Sequence, residues 1–227
     1  MSEILIEDRT VVVPGEILAK GMDYLPGENT YRKDDTIHAK VLGLTSVTGR
    51  VIKLTPLAGP YFLKSGDKII GRVIDITMSG WRIDTDTAYS AMLNVRDAST
   101  RFIKKEEDLS KILAIDDYVI VVITNVTSQR LIDVSMRDPG LRKVEGGRII
   151  KINCQKVPRV IGKKASMISL IKEKTGCEIT VGQNGLVWVK GTPEGEFKVQ
   201  RAIKMIEENS HLSGLTEKVE SFLGGAN

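Results

Sequence analysis

The chain has 227 residues, 41% of them hydrophobic and 27% charged, with a formal net charge of +4, so it is globular and long enough for two or three small domains with separate cores. So small a net charge says little about a polyanionic partner; only local clustering can. No apolar run approaches a membrane span, Tyr118 to Ile123 being among the longest, and the acids scattered through Ser2 to Arg9 do not fit a signal peptide, so a cytoplasmic chain with no membrane contact is expected. Cys154 and Cys177 lack metal-ligand spacing, and His38 and His211 lie far apart in sequence, so reduced thiols and neither metal nor cofactor are expected.

Residues 1–63 read as a first unit, rich in β-structure and dense in Gly and Pro. Thr10 to Glu16 reads as a strand ended by the turn at Pro14-Gly15, and His38 to Thr45 and Gly49 to Leu57 read as a later pair of strands. The unit holds no cluster of catalytic groups. A small sheet with exposed edges suits a protein partner.

Residues 64–138 form a second unit. Gly66-Asp67-Lys68-Ile69-Ile70-Gly71-Arg72-Val73 opens a strand, Ser79-Gly80 marks a turn, and Trp81 to Asp84, Ala88 to Val95, Asp116 to Val122 and Leu131 to Arg137 supply four more strands. Five short strands with one longer polar connection predict a closed barrel of the OB type. The opening Gly-Asp-x-x-x-Gly-x-Val and the closing Ile-x-Val-Ser-Met-Arg resemble the RNA-binding repeat of the large ribosomal protein S-one. That resemblance implies bases stacked on aromatic side chains of the second and third strands, where this chain offers only Trp81 and Tyr89, each with packing on the barrel or a neighbour as an equal alternative. Arg82, Arg96, Arg130 and Arg137 are candidates to steer a phosphate backbone by charge instead. Asp116-Asp117 is read as a turn leading into a strand rather than a metal site, because adjacent strand residues point to opposite faces.

Residues 139–212 form a third unit, followed by a tail at 213–227. Gly147 to Ile152, Cys177 to Val181 and Leu186 to Val189 read as strands. Glu194 to Glu208 reads as a helix with Phe197, Val199, Ala202, Ile203 and Ile206 at its apolar positions. Between the first two strands, Val160-Ile161-Gly162-Lys163-Lys164-Ala165-Ser166-Met167-Ile168 sets a glycine and two lysines at a loop running into an amphipathic helix. The glycine permits close approach of a backbone, the lysines bring charge, and the helix N–H groups favour an anion. Ten basic residues from Arg142 to Lys174, Arg159 among them, face only Glu145 and Glu173 within that stretch. This order of elements resembles a KH domain, whose Gly-x-x-Gly loop clamps single-stranded nucleic acid, with Arg159, Gly162, Lys163, Lys164 and Ala165 at the corresponding positions and Ala165 replacing the second glycine.

Taken together, Val12-Val13-Pro14-Gly15-Glu16, then Gly59-Pro60-Tyr61-Phe62 leading into Gly66-Asp67, then the barrel, then Gly182-Gln183-Asn184-Gly185 with Trp188 resemble the exosome RNA-binding cap subunits of the Rrp-four type over nearly the whole chain. The Gly182, Asn184, Gly185 and Trp188 element is read as structural, with Asn184 and Gly185 suited to left-handed backbone. The fold class is therefore multidomain and mainly β, with a C-terminal α+β domain: a small β domain, a five-stranded OB barrel and a KH domain whose last helix is C-terminal. The resemblance implies an archaeal, non-catalytic subunit that binds single-stranded RNA. It also implies three cap copies docked through their first domain on a hexameric ring of phosphorolytic nuclease-type subunits, guiding 3′ ends into the pore. A Nus-type transcription-elongation factor, which also places an OB repeat before KH units, is the alternative; a nuclease is a weaker one, since no catalytic cluster stands out.

Overall fold

The computed structural model describes residues 2–101, 103, 107–210 and 214–225; His211 and the expected boundary between the KH domain and the tail at 212/213 lie outside the described residues. The chain divides after Pro60 into two compact units.

The first unit has eight short strands: β1 (Glu3–Ile4), β2 (Val11–Val12), β3 (Ile17–Lys20), β4 (Leu25–Pro26), β5 (Thr30–Lys33), β6 (Thr36–Ala39), β7 (Gly43–Thr48) and β8 (Val51–Pro56). They form two four-stranded sheets in the orders β1-β3-β6-β5 and β2-β7-β8-β4. Val12, Leu18, Ala19, Ile37, Ala39, Ile52 and Leu54 close the core between them. The run His38 to Thr45, read as one strand, breaks at Lys40–Leu42 into β6 and β7, which belong to different sheets. Continuous apolar content cannot report such a sheet-switching corner. Leu63, expected in this unit, packs instead in the barrel core.

The second unit begins with the barrel: β9 (Lys68–Thr77), β10 (Gly80–Asp84), β11 (Ser90–Asn94), a one-turn helix α1 (Val95–Ala98), β12 (Tyr118–Val126) and β13 (Ile132–Ser135). The order β13-β11-β10-β9-β12 closes through β12–β13, with β11 and β13 parallel and the other pairs antiparallel. Ile69, Val73, Ile83, Leu93, Val119, Val121 and Val134 alternate inward to fill it. A further strand, β14 (Arg142–Val144), extends from β12 and leads into the KH domain.

The KH domain comprises β15 (Arg148–Lys151), α2 (Val157–Ile161), α3 (Ser166–Thr175), β16 (Glu178–Val181), β17 (Leu186–Lys190) and α4 (Pro193–Glu208). Its sheet is antiparallel in the order β15-β17-β16. The stretch read as a tail holds α5 (Leu215–Gly224), whose Leu215, Val219 and Leu223 are buried in the same core as Ile171, Val199 and Ile203. Leu215, Val219 and Leu223 recur every fourth residue, so the helical stripe is present in the sequence.

Barrel and KH domain are joined by a cluster of their own. Ile70 and Ile120 from the barrel, Leu141 and Val144 around β14, and Leu186 and Trp188 from β17 are all buried together. The turn between β16 and β17 supplies the polar fastening. Asn184 is 5% exposed; its Oδ1 accepts from the Ile70 N–H at 3.3 Å, and its Nδ2 donates to the carbonyls of Ile70 at 2.7 Å and Thr85 at 2.8 Å. The Gln183 N–H donates to the Lys68 carbonyl at 2.8 Å. Gly182 must be glycine, because a Cβ there would meet the Ile70 nitrogen at 2.9 Å. Gly185 takes φ +87°, as the sequence suggested, whereas Asn184 does not adopt a left-handed conformation. Its role lies in the side-chain amide, which substitutes for a backbone partner across the interface. Asn184→Ala would leave the Ile70 and Thr85 groups buried without partners, a loss of about 3 kcal/mol. Urea unfolding followed by circular dichroism should show it as a lower midpoint, and a loss below about 1 kcal/mol, no more than one ordinary hydrogen bond is worth, would contradict this role.

Candidate nucleic-acid interface

The KH loop begins where α2 ends. Gly162 takes φ 75° and ψ 171°, and a Cβ there would sit 2.7 Å from Met167, so the chain turns more tightly than any side chain permits. Lys164 (φ 52°, ψ 36°) and Ala165 (φ 62°, ψ 21°) then follow in left-handed conformation. Each costs a residue other than glycine roughly 1–2 kcal/mol, and strain of this kind persists only where surrounding structure enforces it. Ala165 therefore does the geometrical work of the glycine it replaces. No side chain caps α3, although the N–H of its first residue, Ser166, donates to the Lys163 carbonyl, and the positive end of the helix faces the loop. Lys163 and Lys164 are exposed and have no ion-pair partner among the described residues. Arg159 is exposed on α2, one turn before the loop.

The charge bias of the Arg142 to Lys174 stretch is largely cancelled in space. Arg142 pairs with Glu178, Lys143 with Asp117 at 2.6 Å, Arg148 with Glu196 at 3.2 Å, Lys151 with Asp86 at 2.8 Å, and Lys174 with Glu220 at 3.9 Å. Every one of those acids lies outside the stretch, which is why counting along the sequence overstated the excess. Arg142 also covers the Trp188 ring at 5.4 Å, and the Trp188 indole donates to the Gly146 carbonyl at 2.8 Å. What survives is narrower: Lys156, Lys163, Lys164 and Lys172 remain without ion pairs among the described residues.

In the barrel, Trp81 is fully buried and its indole N–H donates to the Leu113 carbonyl at 2.9 Å. It has no free face for a base, so its candidacy as a stacking platform is withdrawn; it sits on the inward phase of β10 with Ile83. Tyr89 is 42% exposed, and the Arg130 guanidinium lies 5.9 Å from its ring centroid, so these two candidates form one planar patch. The parallel β11–β13 pair orders the others. Tyr89 and Arg130 precede its strands, Arg96 and Arg137 follow them, and the Met136 N–H to Asp97 carbonyl bond joins the far ends. Arg82 lies between, opposite Met92. The barrel candidates other than Trp81 thus fall along one wall, but Arg82 is flanked in register by Asp75, and Met92 by Asp133. Carboxylates on the same row temper any purely electrostatic capture there.

Phe197, read as a core position of α4, is 55% exposed. It lies about 200° around the helix from Val199, off the buried stripe of Val199, Ala202, Ile203 and Ile206. Arg201, four residues on, covers both the Phe197 and Phe222 rings. This aromatic–cation cluster was missed in the sequence because Phe197 was assigned by hydrophobicity rather than by angle.

Burial pushes the Cys154 thiol up, and burial followed by the hydrogen bond to Asp67 holds the Tyr61 phenol well above its usual range, so neither is ionised near neutral pH. Among the described residues no group of three or more His, Cys, Asp or Glu side chains is placed to hold a metal ion, and no helix is long and apolar enough to cross a membrane.

A closed OB-type barrel riveted to a KH domain defines the class: a chain built from modules of single-stranded nucleic-acid recognition. The KH domain family matches residues 147–208, and the family described as the exosome complex exonuclease RRP4 N-terminal region matches residues 11–51. Exosome complex component Rrp4 of Methanothermus fervidus is 40% identical over 97% of both chains, and that of Thermococcus kodakarensis is 38% identical over 98% of this chain and 88% of its own. A crystal structure described as that of an exosome complex RNA-binding protein is 30% identical, with a TM-score of 0.66 over 74% of this chain and 97% of its own. The chain belongs to the Rrp4 family of archaeal exosome components.

The loop geometry makes an unusual substitution favourable. Ala165→Gly relieves left-handed strain while loosening the unfolded chain, and should raise stability by about 0.5 kcal/mol, whereas the same change inside a helix costs about 1 kcal/mol. The urea midpoint should move up; a fall equivalent to about 1 kcal/mol would refute the strained geometry.

Proposed function

We propose that this chain is a non-catalytic RNA-binding subunit of an archaeal exosome. The carrying observation is the Gly162–Ala165 loop: two lysines with no ion pair among the described residues, on a strained turn in front of a helix with no side-chain cap, a cradle that matches a phosphate backbone in both charge and geometry. Family membership over nearly the full chain supports the assignment to an exosome. The barrel wall of Tyr89, Arg130 and Arg82, with Arg96 and Arg137 beyond, is the proposed second contact, with Tyr89 and Arg130 stacking a base.

On this reading three copies cap a hexameric ring of phosphorolytic nuclease-type subunits and guide single-stranded 3′ ends into its pore. The first unit is the proposed ring contact. Its sheets leave β1, β5, β2 and β4 as edges, and Val11, Val13, Met22, Leu25 and Val51 expose apolar surface suited to a protein partner.

Two measurements test the proposal. Replacing Lys163 and Lys164 with alanine should weaken binding of an unstructured RNA and make the slope of log K against log salt shallower by about 1.4, the yield of two single-strand phosphate contacts. An unchanged affinity and slope would place the loop away from RNA. Deleting residues 1–60 should abolish co-elution with the ring while the remaining unit keeps its circular dichroism spectrum, and retained co-elution would locate docking elsewhere.

A further inference from the structure

A cleft lies on the helical side of the KH domain, between α4 and α5. It has a volume of about 470 Å³ and is lined by Glu194, Phe197, Lys198 and Arg201 of α4, Ser221 and Phe222 of α5, and Gly225 just beyond it. That is within the size range of small-ligand sites, about 300–1,000 Å³. None of its residues belongs to the Gly162–Ala165 loop or to the barrel wall.

Its chemistry is specific. The Arg201 guanidinium lies 5.6 Å from the Phe197 ring centroid and 5.9 Å from that of Phe222, so three planar groups meet at one place. Phe197 stays 55% exposed although it is a large apolar side chain on a regular helix, leaving ring surface open to a planar ligand. Lys198 and Arg201 have no ion-pair partner among the described residues, and neither has Lys204, exposed one turn further along α4. Against these cations the cleft sets one carboxylate, Glu194.

We infer that the α4–α5 cleft is a further single-stranded RNA site, beyond the KH loop and the barrel wall, in which a base stacks on Phe197 beside Arg201 and the adjoining phosphates meet Lys198 and Lys204. Aromatic faces interleaved with unpaired cations along one ridge complement a polymer that repeats a planar base and a phosphate. This rests on the RNA-binding reading above and deepens it. It gives RNA leaving the Gly162–Ala165 loop a further foothold on the same domain and extends the footprint of one copy.

The test uses the full chain with a 5′-fluorescein oligoadenylate of about a dozen nucleotides, long enough for several single-strand contacts. Affinity is read by anisotropy. Contacts are read by photo-crosslinking of a 4-thiouridine-substituted strand, with the crosslinked peptides identified by mass spectrometry. The variants are Phe197→Ala, Arg201→Gln and the Lys163→Ala/Lys164→Ala pair, each checked for an unchanged circular dichroism spectrum; Phe197 is exposed enough to be removed without opening the core. Crosslinks are expected on the Phe197 and Phe222 peptides. They should persist in the lysine pair variant and disappear in Phe197→Ala, which should bind about fivefold more weakly, the lower end for loss of one stacked base. Crosslinks confined to the KH loop or barrel, with Phe197→Ala binding as wild type, would overturn the cleft and leave RNA binding by the chain intact. A wild-type chain that binds no RNA would overturn both. Unchanged RNA affinity combined with loss of co-elution with ring subunits in Phe197→Ala would make the cleft a protein-docking surface and reject the RNA assignment.

Discussion

The second unit depends on the side-chain amide of Asn184. An amide offers a carbonyl and an NH₂ group in one plane, so a single residue can serve Ile70 as backbone would and still reach the Thr85 carbonyl. The surrounding apolar cluster of Ile70, Ile120, Leu186 and Trp188 supplies most of the attraction, at about 1.5–3 kcal/mol for each large side chain fully buried. Apolar burial is tolerant of sliding, whereas three hydrogen bonds to fixed backbone atoms are not. The amide therefore sets the register of KH domain against barrel, and the exposed Lys151–Asp86 pair adds little to it.

This fastening has a consequence for recognition. The turn Gly182–Gly185 is committed to the barrel, with Gly182, Asn184 and Gly185 buried, so it cannot also meet a ligand. Among the described residues, charge without an ion pair is left at Lys163 and Lys164, on the one loop where consecutive residues other than glycine are held left-handed. Strain and unpaired charge at the same place cost stability, and the packed helices on either side, through Val160, Met167 and Ile171, supply the support that keeps it folded. On the barrel the balance differs, since acids share the wall with Arg82 and a guanidinium already rests on Tyr89. Loop and barrel wall thus differ in kind, a charged grip at the KH loop and a stacking contact at the wall.

Much of this was legible in the sequence because it is local. Alternation gave β9 to β13 and β15 to β17, helical periodicity gave α3 and α4, and Gly162 and Gly185 stand where backbone must turn with positive φ. The family resemblance rested on the same local motifs, and the similarity of curated relatives agrees with it. Where local reading failed, the reason was phase or partner. Phe197 was read as a core position and is exposed, because hydrophobicity was weighed without the angle at which the helix carries it, and Trp81 took the packed one of its two readings.

The sequence by itself determined the order of elements, the positions of tight turns and the family, since each is written in spacing over a few residues. Only the tertiary structure decided which charges remain. Arg142, Lys143, Arg148, Lys151 and Lys174 find acids brought from distant segments, whereas Lys163 and Lys164 find none among the described residues. It also decided that Asn184 acts through its amide and that Phe197, Arg201 and Phe222 converge, because a side chain's partners depend on distances between segments that no sequence period encodes.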